Sequence, residues 1–369
     1  MNCYEDIGLK RVINASGRMT ALGVSTLSDE VAEATKNGGQ NYVVIDSLID
    51  KAGKIISSYT KAEDSCVTSS ASAAIALSIA GLITKGKLSL IEKLPDTTGL
   101  KNEVIIQKGH AVNYGAPITT MIRLGGGKPV EVGYSNQVFK EHIEEAINEN
   151  TVALMYVKSH HCVQKSMVTL NEMIEIAHKN NLPILVDAAA EEDITKYYKL
   201  GADLVVYSGA KAIEATTSGF VTGKKEYIAY AKAQYKGIGR AMKVGKENIM
   251  GLLKALEIYV NKDKERELES QKEIVNYLVK EINNINGLEA QVTVDEAGRI
   301  IYRAEVKVKE EILGINASKV MKMLNEGNPS IHGRKHKVNL GYITFDPRPM
   351  IDGDKEIIVK KLKEIVEEK

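Results

Sequence analysis

The sequence has few cysteines, almost no net charge and no long apolar run. Each of these features excludes a class of protein. Three cysteines in 369 residues, Cys3, Cys66 and Cys162, are too few for a disulfide framework, so a reducing cytoplasm is expected. A formal net charge of +1 gives no excess of positive charge for binding nucleic acid or an anionic membrane. No signal region opens the chain, and no run approaches the length of a transmembrane helix. A hydrophobic content of 44% is typical of a globular protein of about two domains.

Patterning along the chain predicts three parts. Residues 1–45 form an N-terminal arm with a short strand and a helix capped by Ser28. Residues 46–245 alternate apolar strand patterns with helical ones, which predicts a large α/β domain whose mostly parallel sheet is covered on both faces. Residues 246–369 begin with a charged helical stretch to about Asn283 and continue as a small α+β domain. Its strands are predicted at 289–294, 300–308 and 338–343, and its helices at 317–325 and 354–367.

Lys211 follows a buried-strand pattern. The run from Leu204 to Tyr207 is apolar, and Ser208 and Gly209 after it allow a sharp turn. Lys211 is therefore expected at the carboxyl edge of the sheet, where open α/β folds hold their ligands. A crowded lysine loses hydration, which lowers its pKa and leaves a neutral amine that can condense with an aldehyde. The alternative is a solvated loop lysine.

Asp187 ends a second buried-strand pattern, and the spacing to Lys211 leaves room for a helix and a return strand. In such a crossover both strands run parallel, so Asp187 and Lys211 arrive at the same edge. A carboxylate beside a Schiff-base lysine suits the pyridine nitrogen of pyridoxal phosphate, whose protonation makes the ring an electron sink. The alternative is that Asp187 caps the next helix.

Small hydroxyl residues open a long apolar helix after a short strand at 65–68. Backbone N–H groups and hydroxyls at a helix N-terminus bind anions, so this turn is predicted to hold a phosphate. The residues concerned are Ser69, Ser70, Ala71 and Ser72. The alternative is an Ala/Ser-rich buried helix with a serine N-cap. A Gly-rich phosphate fingerprint is absent.

Histidines follow two further strands. A strand pattern that begins at Glu103 ends on Lys108-Gly109 and leads into a predicted helix with His110, Asn113 and Tyr114. The ring of His110 can stack there on a planar cofactor or simply form a hydrogen bond at the helix start. His160 and His161 follow the strand at 151–158. Metal binding is disfavoured there, because adjacent residues point in different directions and no partner motif exists elsewhere. One of the two is predicted to act as a general acid or hydrogen-bond donor.

Several longer motifs carry a family resemblance, and it covers nearly the whole chain. The sequence resembles the fold-type-I pyridoxal-phosphate enzymes, in the branch that holds bacterial selenocysteine synthase and D-glucosaminate-6-phosphate ammonia-lyase, and it is more similar to the ammonia-lyase side. The resemblance implies a mostly parallel, seven-stranded sheet domain with a smaller α+β domain. The motifs are I-N-A-S-G at 13–17, E-V-G-Y-S-N at 131–136, V-K-S-H at 157–160, V-D-A-A-A-E-E-D at 186–193, S-G-A-K-A-I-E at 208–214 and F-D-P-R-P at 345–349.

What the resemblance implies can be placed on single residues. Lys211 would form the Schiff base, Asp187 would face the pyridinium nitrogen, and His110 would stack on the ring. The phosphate would bind the turn of Ser69, Ser70, Ala71 and Ser72 together with Ser208. The family carries Gly-Pro where this chain has Ala215-Thr216.

Two arginines are candidates for substrate binding. Arg334 lies in a Pro-initiated basic loop, and Arg348 lies between two prolines. A guanidinium suits bidentate capture of a carboxylate, which loop chemistry and the resemblance both assign to Arg334. The neighbouring cations would meet a substrate phosphate or form a plain solvated loop.

The reaction implied is an α,β-elimination from a 2-amino-2-deoxy sugar acid such as D-glucosaminate 6-phosphate, giving a 2-keto-3-deoxy acid phosphate and ammonia. Lys211 would remove the α-proton, and His160 or His161 would assist the leaving hydroxyl. Selenium transfer to seryl-tRNA is the first alternative, and the near-neutral charge argues against it. A non-catalytic protein with the same fold is the second. The resemblance also implies a homodimer or higher homo-oligomer.

Overall fold

The structure, a computed structural model, describes residues 3–159, 161–294 and 300–368. Its strands are β1 (Val12–Ala15), β2 (Asp64–Thr68), β3 (Glu103–Gln107), β4 (Lys128–Val132), β5 (Thr151–Val157), β6 (Ile184–Asp187), β7 (Leu204–Ser208), β8 (Gly219–Gly223), β9 (Leu288–Val294), β10 (Tyr302–Val308), β11 (Ser330–Gly333) and β12 (Tyr342–Phe345).

Its α-helices are α1 (Asp29–Gln40), α2 (Ile45–Thr60), α3 (Ala71–Thr84), α4 (Leu88–Lys93), α5 (Ile118–Leu124), α6 (Lys140–Glu144), α7 (Leu170–Lys179), α8 (Lys196–Lys199), α9 (Lys225–Ala233), α10 (Lys246–Asn261), α11 (Lys264–Ile282), α12 (Glu310–Leu313), α13 (Ala317–Glu326) and α14 (Asp354–Glu367). Within the described residues, no helix has both the length and the apolar character needed to cross a membrane.

The chain forms two compact units. The large unit is Leu27–Asn261, and the small unit combines Met1–Thr26 with Lys262–Lys369. The sequence pattern predicts boundaries for the large unit at residues 45 and 245 instead. Helix α1 belongs with the large unit because it packs on α10, where Lys246 Nζ donates a hydrogen bond to the carbonyl of Gly38 over 2.7 Å. Strand β1 belongs with the small unit because it pairs in parallel with β11.

The large unit is built on a seven-stranded sheet in the order β2-β8-β7-β6-β5-β3-β4. Every neighbouring pair is parallel except those that β8 makes with β7 and β2. The strands are largely apolar and buried on both faces, as a parallel sheet requires, except for the edge strand β4, whose Lys128 and Glu131 are exposed. The predicted mostly parallel, seven-stranded sheet is confirmed.

Alternate strand residues pack into two separate cores, one on each face of this sheet. Leu154 and Val186 lie in the core under α2, α7 and α10, whereas Met155 and Leu185 lie in the core under α3, α5 and α9. Helix α3 is apolar all round and buried from Ala73 to Thr84, which explains why its sequence has no polar face. The prediction that helices cover both faces is confirmed.

The small unit has a three-stranded antiparallel sheet in the order β12-β10-β9 and the separate parallel pair of β1 and β11. Helices α11, α13 and α14 supply apolar faces to its core, together with residues of both sheets such as Ile13, Ala304 and Ile331. It therefore has the α+β character that the sequence predicted.

Two predictions about the C-terminal third need correction. The single helical stretch from Lys246 to Asn283 is two helices, α10 and α11, because Asp263 caps the second one by accepting from the N–H groups of Glu265 and Arg266. The strand predicted at 338–343 begins only at Tyr342. A 3₁₀ turn at Val338–Leu340 precedes it and ends on Gly341, whose φ of +88° favours glycine.

Two predicted helices of the large unit also differ. The residues after β3 form a 3₁₀ turn, Lys108–His110, followed by a tight turn in which Asn113 Oδ1 accepts from the N–H of Gly115 over 2.9 Å. Asn113 and Tyr114 are therefore not helical. The charged, amphipathic pattern of residues 134–150 predicts one helix, but the helix there is limited to α6, because turns occupy the residues on both sides.

Candidate active site

The carboxyl ends of the parallel strands meet at one edge of the large sheet. Register places Val157 beside Asp187 and Asp187 beside Val206, while Thr68 and Ser208 both pair with Gly219. The loops that follow β2, β3, β5, β6 and β7 therefore emerge together. They carry Ser69 to Ser72, His110, His161, Asp187, Ser208 and Lys211. His160 lies outside the described residues.

Lys211 lies in the turn after β7, and backbone pairing closes that turn. The N–H of Gly209 donates to the carbonyl of Ser218, and the N–H of Ala215 donates to the carbonyl of Gly209, both over 2.9 Å. The chain thus forms a closed turn even with Ala215-Thr216 in place of the family's Gly-Pro. Burial lowers the pKa of Lys211, and the charge of Asp187 acts in the opposite direction. The result is an amine that gives up its proton more readily than an exposed lysine.

Asp187 is a buried carboxylate at the end of β6, with 7% of its surface exposed. Its Oδ1 accepts from the N–H of Ala189 over 3.0 Å, and the carbonyl of Ala189 accepts from the N–H of Ser208. The loop after β6 therefore turns back onto the end of β7. Burial raises the pKa of Asp187, while the Ala189 hydrogen bond and the Lys211 charge lower it. A cationic partner for this carboxylate would stabilise its charged form.

The N-terminus of α3 lies at the same edge. Ser70 is the N-cap, with its side chain accepting from the N–H of Ala73 over 3.0 Å, as predicted for a serine cap. Gly219 of β8 runs directly beneath it, where a Cβ would come within 2.5 Å of Ser70 C and 2.6 Å of Ala71 N. Only glycine allows this approach, and it leaves the first turn of a long buried helix open to an anion.

His110 is fully buried and held by its neighbours. The N–H of Val157 donates to Nδ1 of His110 over 3.3 Å, and the ring of Tyr156 meets the imidazole edge-on at 4.5 Å between centroids. Burial, and then the charge of Lys158, lowers the pKa of His110 to about 4. The imidazole is therefore neutral at physiological pH.

Tyr114 is a further neighbour of the site, and the sequence pattern assigned no role to it. Its hydroxyl lies 3.4 Å from Ser72 Oγ, on the first turn of α3. Burial raises the pKa of Tyr114, the Ser72 hydrogen bond lowers it, and the charge of Asp187 raises it further. Tyr114 thus lies near both the helix N-terminus and the buried carboxylate. Its position past a strand end was the available signal, but its assignment to a helix hid the contact.

His161 lies on an exposed turn after β5, where its N–H donates to Ser159 Oγ over 3.2 Å. The role of His161 as a general acid stays a prediction.

Arg334 and Arg348 belong to the small unit. Arg334 is not in a free loop, since its N–H donates to the carbonyl of Thr344 over 2.8 Å at the end of β11. Arg348 follows β12 and forms two side-chain hydrogen bonds to Asp346. Their roles in substrate binding stay predictions.

These residues fit pyridoxal phosphate. A lysine with a lowered pKa, a buried carboxylate and the first turn of a buried helix supply the three kinds of group that the aldehyde, the ring nitrogen and the phosphate require. The close approach that Gly219 allows shapes the backbone there as a cradle, which a methyl group would fill.

Comparison with known proteins agrees with this fit. The family model described as SelA: L-seryl-tRNA selenium transferase matches residues 12–316. The chain belongs to the SelA family.

Two relatives cover nearly the whole SelA-family chain. The D-glucosaminate-6-phosphate ammonia lyase of Salmonella typhimurium is 48% identical over 99% of this chain and 98% of that protein. A 5'-C-glycyluridine monooxygenase-decarboxylase of a Streptomyces species is 37% identical over 98% of this chain and 92% of that protein. The solved structure of a D-glucosaminate-6-phosphate ammonia-lyase superimposes with a TM-score of 0.95 at 48% identity, covering 100% of this chain and 99% of that one.

The predicted fold and cofactor class are thereby confirmed. This SelA-family member is a fold-type-I, pyridoxal-phosphate-dependent enzyme of the lyase type.

Proposed function

We propose that this enzyme eliminates the 3-hydroxyl of D-glucosaminate 6-phosphate and releases a 2-keto-3-deoxy acid phosphate and ammonia. The observation that carries the proposal is the 48% identity over 99% of the chain to an enzyme named for that substrate. The cluster of Lys211, Asp187 and the α3 N-terminus supports it, because this cluster fits the cofactor.

Pyridoxal phosphate, when bound, supplies an electron sink that makes the α-proton of an amino acid removable. The protein holds it by three kinds of contact. Asp187 would hold the ring nitrogen, the turn of Ser69 to Ser72 with Ser208 would hold the phosphate, and neutral His110 would lie against the ring. Burial of Asp187 strengthens its interaction with a protonated nitrogen, because both charges lie away from water.

Lys211 would hold the cofactor through its aldehyde, and its amine would then take the α-proton of the substrate. Its lowered pKa increases the fraction of neutral amine near pH 7, which both tasks require. The second proton goes to the leaving 3-hydroxyl, and His160 or His161 donates it. Arg334 and Arg348 bind the substrate's carboxylate.

The enzyme works as a homodimer or higher homo-oligomer. An apolar run on the large unit supports this, since the exposed surface fractions of Tyr42, Val43, Val44 and Ile45 are 103%, 46%, 69% and 43%. Exposed apolar patches of this kind mark protein interfaces. Light scattering after gel filtration tests it, and a monomer at micromolar concentration would refute it. The cytoplasmic location is a proposal that rests on three free cysteines.

The decisive experiment joins spectroscopy with turnover. The purified protein is expected to absorb in the visible range, to bleach with borohydride and to carry the reduced cofactor on the peptide of Lys211. Lys211→Ala removes that label, whereas Lys199→Ala, at an exposed lysine of the same unit, keeps it. Addition of D-glucosaminate 6-phosphate to a separate, unreduced sample is expected to release 2-oxo acid and ammonia in coupled assays. A yellow protein inert to this compound would refute the substrate and leave the cofactor assignment standing.

Selenium transfer to seryl-tRNA is the second candidate, because the matching family model bears that description. A gel-shift assay with seryl-tRNA across salt concentrations separates the two. True phosphate contacts give a steep loss of affinity with salt. Absence of a shift at low salt leaves the lyase.

A further inference from the structure

Two sequence motifs outside the cofactor-binding cluster meet in the small unit. I-N-A-S-G contributes the loop after β1, and F-D-P-R-P contributes the end of β12. The N–H of Asp346 donates to the carbonyl of Ala15 over 2.8 Å. Asn14 shapes the loop itself, since its Nδ2 donates to the carbonyl of Gly17 and its Oδ1 accepts from the N–H of Ser16, both over 3.0 Å.

The side chain of Asp346 lies where the two motifs meet, and it is fully buried. Arg303 of β10 donates to it from Nε over 3.0 Å. Arg348 donates to it from Nε over 2.9 Å, from Nη2 over 2.8 Å and from its backbone N–H over 3.2 Å. A carboxylate has about four lone-pair sites, so these four bonds use its capacity. The guanidinium plane of Arg348 is therefore fixed by a carboxylate that Arg303 fixes in turn.

The ionised state of Asp346 is also secured. Burial alone would raise the pKa of Asp346, but the hydrogen bonds and charges of Arg348 and Arg303 lower it well below its usual range. Asp346 therefore stays charged near neutral pH, where its ion pairs with Arg303 and Arg348 are kept.

Two guanidinium groups face one point beside Gly17. A Cβ built on Gly17 would lie 3.6 Å from Nη1 of Arg334 and 3.6 Å from Nη2 of Arg348, with Oδ2 of Asp346, which both Arg303 and Arg348 neutralise, at 3.3 Å. Arg334 reaches this point from the end of β11, where Nη1 also donates to the carbonyl of Ser16 over 3.4 Å. The φ of +99° at Gly17 keeps the position free of a side chain. Paired guanidinium donors are the usual receptor for a carboxylate.

We propose that Arg303 and Asp346 are positioning residues, which orient Arg348 so that Arg348 and Arg334 together receive the substrate's carboxylate beside Gly17. The inference rests on the proposed function, because it takes the sugar acid as the substrate. It adds the two residues that set the direction of Arg348 and the loop that borders the carboxylate.

The chain offers a matched control for a purely structural role. Arg11 pairs with another buried carboxylate of the same unit, Asp354, over 3.0 Å. Arg303→Lys and Arg11→Lys each keep a positive charge and lose the rigid guanidinium fork. Both variants, and Asp346→Asn, are first checked for folding by circular dichroism and for cofactor content by visible absorbance.

The test compares two ligands that differ at C1. D-glucosaminate 6-phosphate has a carboxylate there, and D-glucosamine 6-phosphate keeps the amine and the phosphate without it. For Arg303→Lys we expect KM for the sugar acid to rise roughly tenfold with kcat within about twofold, since uniform binding is what is lost. The inhibition constant of D-glucosamine 6-phosphate should stay unchanged. Arg11→Lys should alter neither value.

Three results would overturn the inference: an unchanged KM in Arg303→Lys, an equal loss for both ligands, or the same pattern in Arg11→Lys. A wild-type enzyme inert to the sugar acid would instead refute the proposed substrate. In that case, serine and ethanolamine carry the same comparison, read as a change in visible absorbance of the holoenzyme. If wild type favours serine and Arg303→Lys does not, the positioning role stands. If Arg303→Lys keeps the preference for serine, or if wild type has no preference, the positioning role is refuted.

Discussion

The backbone N–H of Val157, at the end of β5, donates a hydrogen bond to Nδ1 of His110 over 3.3 Å. This contact makes Nδ1 an acceptor, so the proton of the neutral ring lies on Nε2. It joins the loops after β3 and β5 and fixes the ring that is predicted to lie against the cofactor.

His110 should make the fold less stable in mild acid. Its pKa is lowered from 6.5 to about 4 by burial and by Lys158, so the unfolded chain takes up a proton at a higher pH than the folded one does. The contribution of neutral His110 is therefore complete above pH 6.5 and lost as pH falls from there to about 4, by at most about 3 kcal/mol. Urea unfolding of the apoprotein at pH 7 and pH 5 measures it. His110→Phe should show a smaller difference between the two pH values than wild type.

Gly219 should tolerate no side chain. In Gly219→Ala the new methyl group would meet Ser70 C at 2.5 Å and Ala71 N at 2.6 Å, so the first turn of α3 must move. We expect a loss of about 1–3 kcal/mol in unfolding free energy, as for other overpacked sites. The affinity of the apoprotein for pyridoxal phosphate should also fall, by roughly tenfold, because the backbone N–H groups in the first turn of α3 would no longer point toward the phosphate. Fluorescence titration measures that affinity.

The control for this substitution is Gly39→Ala. Its Cβ would have its nearest neighbour, Glu247 Cβ, at 3.8 Å, which is ordinary contact, and its affinity should equal that of wild type. Equal affinities in Gly219→Ala and wild type would show that the phosphate does not bind at this turn.

Gln107 should prove important for stability although it is outside the cofactor site. Its Nε2 donates to the carbonyl of Val168 over 3.0 Å, and its Oε1 accepts from the N–H of Val168 over 2.8 Å. Both hydrogen bonds are buried. Gln107→Met leaves both backbone groups without these bonds, which should cost about 2–4 kcal/mol. Urea unfolding measures the cost. Gln137→Met, at an exposed position, should change the free energy by less than about 0.5 kcal/mol.

The local sequence pattern was enough to predict the strands and the helix N-terminus that meet at the edge of the large sheet. Apolar runs that end on Asp187 and Ser208 are visible in the sequence, and register then brings them together because parallel strands share an edge. Ser70 as a helix cap has an equally local signal, a hydroxyl residue before a long apolar helix. The boundary between α10 and α11 also has a local signal, because Asp263 is a capping residue followed by acidic residues. The many charged residues around it hid this signal.

Contacts between residues that are far apart in the chain have no such local signal in the sequence. Asp346 binds Arg303, 43 residues away, and neither spacing nor composition links them. The bond from Val157 to His110 joins two strands that only the folded sheet brings close. The start of β12 was misplaced because the apolar residues at 338–340 suit a strand, whereas Gly341 in the left-handed region ends a 3₁₀ turn there.

The charge of Asp187 should be measurable at Lys211 without any catalysis. Burial lowers the pKa of Lys211 and the carboxylate of Asp187 partly restores it. Removing that charge in Asp187→Asn should therefore lower the pKa of Lys211 further. Labelling the apoprotein with an amine reagent across pH, with peptide mass spectrometry, gives the pH of half-maximal reactivity at Lys211. This pH should be lower in Asp187→Asn than in wild type, while the peptide of exposed Lys199 serves as the internal reference. A midpoint that stays the same or rises would mean that the two groups do not interact, and the assignment of Asp187 beside the Schiff-base lysine would lose its electrostatic basis.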